Sequence, residues 1–294
     1  MVTDKDIYAN RIFLNAALPL FRVLVEEVPG LKKAFAGKQG LIRISAAAGG
    51  HADGSNAAAA GSNTTAGNSA AACGTAGEGG GAAGLVGTRF IVSGGTLTVG
   101  LGPGEAKPDV ELRFSSIPRL NAFFKGDMKA LPGISGIFSP LFLPTMKTLL
   151  KLSAMLGAAK PPKTEADKDL LVKLYFYLLA NGVSQLNKAG EPAVRKWAMA
   201  SPDRVYAFRV MGRDDLAAYI RVKAGKTKAS RGRYTRASPF FCLAFRDVDA
   251  ALGTLLQIDD LFEASCNGKI IMEGAPEFGS TLGDFMLLVA ALAK

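Results

Sequence analysis

Few side chains in this 294-residue chain have the types and spacing that catalysis requires. Nucleophilic catalysis needs a base beside the nucleophile, and the single histidine, His51, lies in a tract rich in alanine and glycine. Zinc sites need clustered ligands, whereas Cys73, Cys242 and Cys266 are far apart in the sequence. We interpret Cys242 and Cys266 as small buried residues of strands. The sequence therefore predicts no enzymatic activity, no metal site and no cofactor.

Paired carboxylates and one glycine motif are also poor candidates for chemistry. In Glu26-Glu27, Asp214-Asp215 and Asp259-Asp260 the two side chains of each pair point to different faces of a helix or strand. We interpret them as caps, turns or solvated surface. A GxGxxG pattern at 79–84 follows the low-complexity tract and precedes a strand, so it lacks the strand-then-helix context of a dinucleotide site.

Positive charge is the chemical property that stands out. The net charge is +10, and residues 221–236 contain seven basic side chains and no acidic one. Such a run can attract an anionic membrane surface, an acidic partner or, as the least favoured of the three, nucleic acid. It can also be the solvated face of a hairpin, because Lys and Arg protect exposed sheet edges. The candidate contacts for an anionic headgroup or partner are Arg221, Lys223, Arg231, Arg233 and Arg236.

The sequence contains an internal repeat, so the elements that must position these residues occur twice. Asp4-Lys5-Asp6-Ile7 returns as Asp167-Lys168-Asp169-Leu170, and each copy leads into a helix with apolar residues at helical spacing. Each helix is then predicted to pass through a basic turn that contains proline, at 28–33 and 191–196, into a strand. A further strand is expected at about 230–236.

The repeat divides the chain at a linker. Consecutive prolines at 161 and 162 cannot continue a helix, so we expect domains at 1–160 and 161–294. The first copy carries an insertion at 46–85 that has almost no apolar side chains larger than alanine. Such a segment buries too little apolar surface to offset the entropy of ordering it, so a disordered loop is predicted there.

Alternating apolar residues follow the insertion and recur in the second copy. Each half reads as helix, sheet, short helix, strand and closing helix. The predicted fold class is therefore α+β, with two repeats that each contain an antiparallel-rich sheet of about five strands flanked by helices.

The sequence shows no signal for membrane insertion or export. The N-terminal segment is acidic where a signal peptide would be basic, and no window holds 18 uninterrupted apolar residues. The odd number of cysteines is typical of a reducing compartment. We expect a cytoplasmic monomer in which the two repeats form an internal pseudo-dimer.

The last sixty residues carry a family resemblance. A strand with alternating Phe241, Leu243 and Phe245 leads into a short helix, then into Gly268-Lys269-Ile270 and a terminal amphipathic helix. This order resembles the sterol carrier protein 2 (SCP2-like) family. The first half is similar over 110–155, although residues 131–136 stand where the family has its Gly-Lys-Ile strand.

The resemblance implies an apolar tunnel between the sheet and the closing helix, which binds fatty acyl chains, acyl-CoA, sterols or similar lipids. It implies non-enzymatic lipid binding or transfer, with one site, two or none. The alternative is a structural module with the same fold and a filled core, which binds an acidic partner through the basic 221–236 hairpin. The residues expected to line a tunnel, which spacing alone would assign to the core, are Phe123, Phe124, Met146, Leu149, Leu150, Leu255, Leu256, Phe285, Met286 and Leu288.

Overall fold

A computed structural model describes residues 2–48 and 84–293 as an α+β protein with two five-stranded sheets flanked by helices. The predicted fold class is confirmed. Part of the segment interpreted as a disordered loop is regular, since strand β1 continues to Ala47 and strand β2 begins at Leu85. The remainder of that predicted loop, with His51, Cys73 and the GxGxxG pattern, lies outside the described residues.

The first repeat contains five helices, one π-helical turn and five strands among its described residues. They are α1 (Asp4–Ile12), the π-helical turn (Phe13–Ala17), α2 (Leu20–Glu27), α3 (Pro29–Phe35), β1 (Gly40–Ala47), β2 (Leu85–Ser93), β3 (Thr96–Leu101), β4 (Val110–Phe114), α4 (Ile117–Phe124), β5 (Gly133–Ser135) and α5 (Phe142–Leu156).

The second repeat has the same order of strands and closing helix. Its elements are α6 (Glu165–Ala189), α7 (Pro192–Ala200), β6 (Arg204–Val210), β7 (Arg213–Lys223), β8 (Lys226–Arg231), β9 (Phe241–Phe245), α8 (Val248–Leu255), α9 (Leu261–Cys266), β10 (Ile270–Glu273) and α10 (Pro276–Ala293).

The repeated acidic motifs act as helix starts. The Thr3 hydroxyl accepts a hydrogen bond from the Asp6 backbone N–H, and the Thr164 hydroxyl accepts one from the Asp167 N–H. Each threonine therefore caps a long helix and satisfies one of its free N–H groups. In the first repeat the long helix is interrupted before Pro19, because proline lacks the N–H that a continuous helix needs.

The two sheets have equivalent topologies. Their strand orders are β3-β2-β1-β4-β5 and β10-β9-β6-β7-β8. Neighbouring strands are antiparallel except at the centre, where β1 is parallel to β4 and β6 is parallel to β9. Ile42 pairs with Val110 in the first sheet, and Tyr206 pairs with Phe241 in the second. This register makes Ile42 and Tyr206 equivalent positions of the two repeats.

Several local predictions are wrong. The two segments predicted as basic turns contain helices α3 and α7, because Pro29 and Pro192 occupy first-turn positions, where a missing N–H costs nothing. The strand predicted between the short helix and the closing helix of the first repeat is present as the three-residue β5, which pairs with β4. The strand expected at 230–236 ends at Arg231. Cys266 is exposed at the end of α9, a helix that the sequence pattern did not indicate.

One continuous core joins the two repeats. It combines the inner faces of both sheets with α1, α2 and α6. Phe176 of α6 stacks on Phe208 and Phe245 of its own sheet, with ring centroids 6.1 and 5.8 Å apart. In the first repeat Phe21 packs against Phe90 at 4.7 Å. Within the described part of the chain, no helix has the length and apolarity needed to cross a membrane.

Candidate ligand site and basic surface

The ten side chains predicted to line a tunnel are divided equally between the two repeats. Phe123 and Phe124 end α4, and three further residues lie on α5. Leu255 and Leu256 end α8, and the last three lie on α10. Phe285 is buried, and Leu150 points to solvent, with 70% of its surface exposed. The other eight are half-buried and pack against the common core.

In the first repeat the predicted phenylalanines fill their own corner. Phe124 stacks on Phe13 with ring centroids 5.4 Å apart, and Phe123 packs on Phe114 at 5.3 Å. Phe123 and Phe124 also meet edge to face at 5.4 Å. These contacts account for both rings as core packing between α4, β4 and the π-helical turn.

In the second repeat an aromatic corner lies beneath α10. We use this name for Trp197 of α7, Arg204 and Tyr206 of β6, Phe240 before β9, and Phe278 and Phe285 of α10. Trp197 is central, because its ring lies 5.2 Å from that of Tyr206 and 5.3 Å from that of Phe285. Phe240 meets Phe278 at 4.7 Å. The corner therefore lies between the sheet and the closing helix, where the tunnel was expected.

The Tyr206 hydroxyl is a buried polar atom of the aromatic corner. Tyr206 is 1% exposed, and its phenol oxygen has no hydrogen-bond partner among the described residues. Burying an unpaired hydroxyl is unfavourable by about 1–3 kcal/mol. Such an atom is a ready partner for a polar group of a ligand.

Arg204 marks the outer end of the same corner. Its guanidinium lies 3.9 Å from the ring centroid of Phe240 and 4.9 Å from that of Phe278. Phe240 is 36% exposed, so this end of the corner faces solvent. An arginine stacked on aromatic rings keeps its N–H groups free for a carboxylate or phosphate. The corner thus combines aromatic rings with one buried hydroxyl and one guanidinium.

Among the described residues of the first repeat, no equivalent corner is found. Ile42 stands where the second repeat has Tyr206, and Asp109 stands where it has Phe240. The buried positions 148, 152 and 155 of α5 have the same spacing as 285, 289 and 292 of α10, so Thr148 is the equivalent of Phe285. The Thr148 hydroxyl donates a hydrogen bond to the Pro144 carbonyl within its own helix. Within the described ranges, therefore, the combination of aromatic rings with an unpaired buried hydroxyl occurs in the second repeat.

None of the predicted tunnel residues lines either of two surface depressions on the first sheet. One, of about 440 Å³, is lined by Glu111, Arg113 and Ile134 beside the edge strand β5. The other, of about 560 Å³, lies beside Arg89 and Asp109. Both are on the first sheet and open to solvent. The aromatic corner is closed by its own side chains, so a ligand must displace some of them to enter.

Two acidic residues outside the basic run, Asp203 and Asp214, pair with three of its basic side chains. Arg221 donates two hydrogen bonds to Asp203, at 2.8 and 2.6 Å, and Lys223 lies 3.4 Å from the same carboxylate. The hydrogen bonds from Arg221 lower the pKa of Asp203 to about 2. Arg233 pairs with Asp214 at 3.2 Å.

The remaining two predicted basic contacts differ from each other. Arg231 points inward: its guanidinium lies 5.0 Å from the ring centroid of Tyr177 and donates a hydrogen bond to the Pro19 carbonyl at 3.5 Å. Arg236 is exposed and, of the five candidates, is the one without an ion pair or ring contact to a described residue. The structure therefore leaves one of the five basic side chains fully available.

Cys242 lacks the environment of a reactive thiol. Cys242 is buried on the outer face of the second sheet beside the Arg209–Glu273 ion pair. Burial raises the pKa of its thiol to about 11, so the thiolate is scarce at neutral pH. Across the described ranges, no group of three or more His, Cys, Asp or Glu side chains is placed to hold a metal ion.

Sequence reasoning found Phe285 but missed the rest of the aromatic corner. Trp197 and Tyr206 come from elements that precede the family-like segment, and Phe240 lies at its edge. The one available signal was composition, since Trp197 is the only tryptophan in the chain. Comparison with known proteins adds no family: no protein-family model matches the sequence, and no curated protein is significantly similar to it.

Proposed function

We propose that this protein binds a hydrophobic ligand, without changing it chemically, at the aromatic corner of the second repeat. The ligand class is an acyl lipid or sterol-like molecule with one polar end. The observation that carries the proposal is the buried, unpaired Tyr206 hydroxyl among aromatic rings beneath α10. Ligand sites are mostly apolar with a few placed polar groups, and this corner has that composition.

Arg204 and the aromatic rings take different parts of the ligand. The carboxylate or phosphate of a lipid pairs with Arg204 at the solvent side. Its apolar body replaces side-chain contacts between Phe285 and the sheet, and each buried methylene contributes about 0.8 kcal/mol. The resemblance of β9, α8, β10 and α10 to the closing segment of SCP2-like proteins supports the same ligand class.

The setting follows from the same observations. We propose a monomer in a reducing, cytoplasmic compartment, supported by the unbonded thiols of Cys242 and Cys266. Because the first repeat lacks the aromatic corner, one ligand binds per chain.

The only tryptophan provides the test. Trp197 touches both Tyr206 and Phe285, so its fluorescence reports on the aromatic corner alone. Brominated fatty acid added to the full chain should quench it saturably, with one ligand per chain, and unbrominated fatty acid should compete. Quenching that never saturates, or that ordinary fatty acid does not reverse, rejects the proposal.

Matched variants separate ligand binding from general packing. Phe285→Leu removes a ring from the aromatic corner. The dissociation constant from the quenching titration should rise about tenfold, which corresponds to 1.4 kcal/mol. Thr148→Ala changes the equivalent position of the first repeat and should leave the affinity unchanged. Equal losses from both variants would indicate an effect on folding instead of a ligand contact.

The second candidate is a filled-core module that binds an acidic partner through the basic hairpin. Two observations favour this candidate. The side chains of the aromatic corner pack against one another, and the two surface depressions lie on the first sheet instead of at the corner. In that case the protein carries no lipid after purification. Its partner binding weakens steeply with salt and is abolished when Arg231, Arg233 and Arg236 are replaced by serine.

A further inference from the structure

The first repeat exposes several large apolar side chains within one stretch of sequence, from the end of α4 to α5. Phe138 is fully exposed, at 102%, and Met128 is 74% exposed. We call this group the apolar face. Its most exposed members are Met128, Leu131, Ile137, Phe138, Leu143 and Leu150.

The local structure explains why these residues are held outward. All three residues of β5 are exposed, because β5 is the edge of its sheet. The chain then passes Phe138 in a loop before α5 begins at Phe142. On α5, Leu143, Lys147 and Leu150 are four and three residues apart and share one outward face. Along the chain, the apolar face thus includes the region of the edge strand β5, the loop that follows it and the outward side of α5.

The segment that carries the apolar face contains more basic than acidic residues. Residues 125–151 contain four lysines and a single acidic residue, Asp127. Lys125, Lys129 and Lys147 are exposed, whereas Lys151 pairs with Asp167 at 2.7 Å. Exposed apolar side chains interspersed with lysine are typical of surfaces that lie on anionic membranes, where the lysines reach phosphate and the apolar groups enter the acyl boundary.

The second repeat supplies an internal contrast. Its corresponding segment also exposes apolar residues, with Phe262 78% and Ile258 53% exposed. However, residues 256–288 contain six acidic residues and one lysine, Lys269. An anionic surface would repel this segment and attract the first one. The two related segments therefore have opposite electrostatic preferences.

We propose that the apolar face of the first repeat docks the protein on an anionic membrane. This inference deepens the proposed function by naming the surface from which the lipid is collected, and it moves membrane contact away from the basic hairpin. A symmetric contact between two copies would bring like-charged lysines together. Phe138 protrudes, and a bilayer accepts a protruding side chain without a matching groove.

Vesicle sedimentation of the full chain tests the inference. The vesicles are phosphatidylcholine alone, or phosphatidylcholine with about one third phosphatidylserine. Wild type should bind the anionic vesicles and lose binding as salt rises. The double variant Ile137→Ser with Phe138→Ser should bind at least about tenfold more weakly, because two exposed side chains no longer enter the bilayer. Both residues are exposed, so the fold is unaffected.

The second repeat provides the control. Phe262→Ser removes a largely exposed ring from the acidic segment and should leave vesicle binding unchanged. Lys129→Gln and Lys147→Gln should each reduce binding about fivefold, as expected for a lysine near an anionic surface. The inference is overturned if the wild type and the Ile137/Phe138 variant bind vesicles equally well. It is also overturned if the wild type does not bind anionic vesicles.

Two further measurements identify which idea has failed. If the protein dimerises and Ile137→Ser with Phe138→Ser abolishes the dimer, the apolar face is an interface between copies and the membrane inference is wrong. Tyr206→Phe and Phe285→Leu should retain vesicle binding while altering Trp197 quenching. If the protein does not bind vesicles but fatty acid still quenches Trp197, the membrane inference fails and the ligand site is retained. If the protein binds vesicles but fatty acid does not quench Trp197, the ligand site is rejected and the membrane inference is retained.

Discussion

The phenol oxygen of Tyr206 lies in surroundings that offer it no hydrogen-bond partner within the described chain. In the first repeat Ile42 occupies the same position, which shows that the fold does not need a hydroxyl there. A polar group kept at a structural cost, when an apolar one suffices, points to a role in binding. The role is therefore tested by removing only that oxygen.

We predict that Tyr206→Phe maintains or raises the stability of the fold and lowers the affinity for the ligand. The free energy of unfolding should stay equal or rise by about 1 kcal/mol, because an unpaired buried hydroxyl is removed. The affinity for a fatty acid should fall several-fold in the Trp197 quenching titration. A variant that loses stability instead would show that the oxygen has a structural partner.

Asp203 gives a residue-scale prediction about acid. Hydrogen bonds from Arg221 lower the pKa of Asp203 from 3.8 to about 2 in the folded chain. Because the folded pKa is the lower one, this stabilisation is present above pH 3.8 and is lost as the pH falls toward about 2. Asp203→Asn should therefore lose less stability than wild type over that interval. Arg221→Gln, which removes the partner, should show the same flattening in urea titrations at each pH.

At the scale of elements, the position of α10 depends on a close contact with α6. A Cβ added to Gly182 of α6 would lie 2.5 Å from Val289 Cγ1 of α10. Gly182→Ala should therefore be destabilising by about 1–3 kcal/mol, despite the better helix propensity of alanine. Since α10 covers the aromatic corner, Trp197 fluorescence should change as well.

A double-mutant cycle and a second glycine make this test specific. Adding Val289→Ala to Gly182→Ala should recover much of the lost stability, because the methyl group then has space. A Cβ on Gly283 of α10 meets nothing within 4 Å. Gly283→Ala should stabilise the protein by up to about 1 kcal/mol in urea titrations. Additive effects of Gly182→Ala and Val289→Ala would contradict the close contact.

The elements that the sequence predicted well are those marked by periodicity. Apolar spacing indicated α6 and α10, and alternation indicated β4 and β9, because helix and strand periods are local properties. Short helices such as α3 and α9 were missed, since proline and charge resemble turn signals over so few residues.

The site was less predictable than the fold for a physical reason. Arg221 of β7 pairs with Asp203, which immediately precedes the neighbouring strand β6. Asp203 is 18 residues away in the sequence and lies outside the basic run. The aromatic corner gathers Trp197, Phe240 and Phe285 from three separate elements. Contacts of this kind are set by tertiary packing, which no local pattern contains.

At the scale of the whole molecule, the two repeats share their core. Helices α1 and α2 of the first repeat lie against α6 of the second within one apolar cluster. Asn15 donates a hydrogen bond to Gln185 at 3.3 Å, and Lys173 pairs with Glu27 at 2.8 Å. A repeat that loses its neighbour would expose this shared surface, so the two halves should fold together.

We therefore predict that a lesion in the first repeat lowers the stability reported from the second. Phe21 is fully buried and packs on Phe35 and Phe90, all in the first repeat. Phe21→Leu should destabilise the chain by about 1–3 kcal/mol. Trp197, which lies only in the second repeat, should report the same lower urea midpoint as far-UV circular dichroism, because cooperative unfolding gives coincident transitions. If Trp197 keeps its wild-type midpoint while circular dichroism shows an earlier transition, the repeats unfold independently. The shared core would then add little coupling, and each repeat could open to a ligand or a membrane without the other.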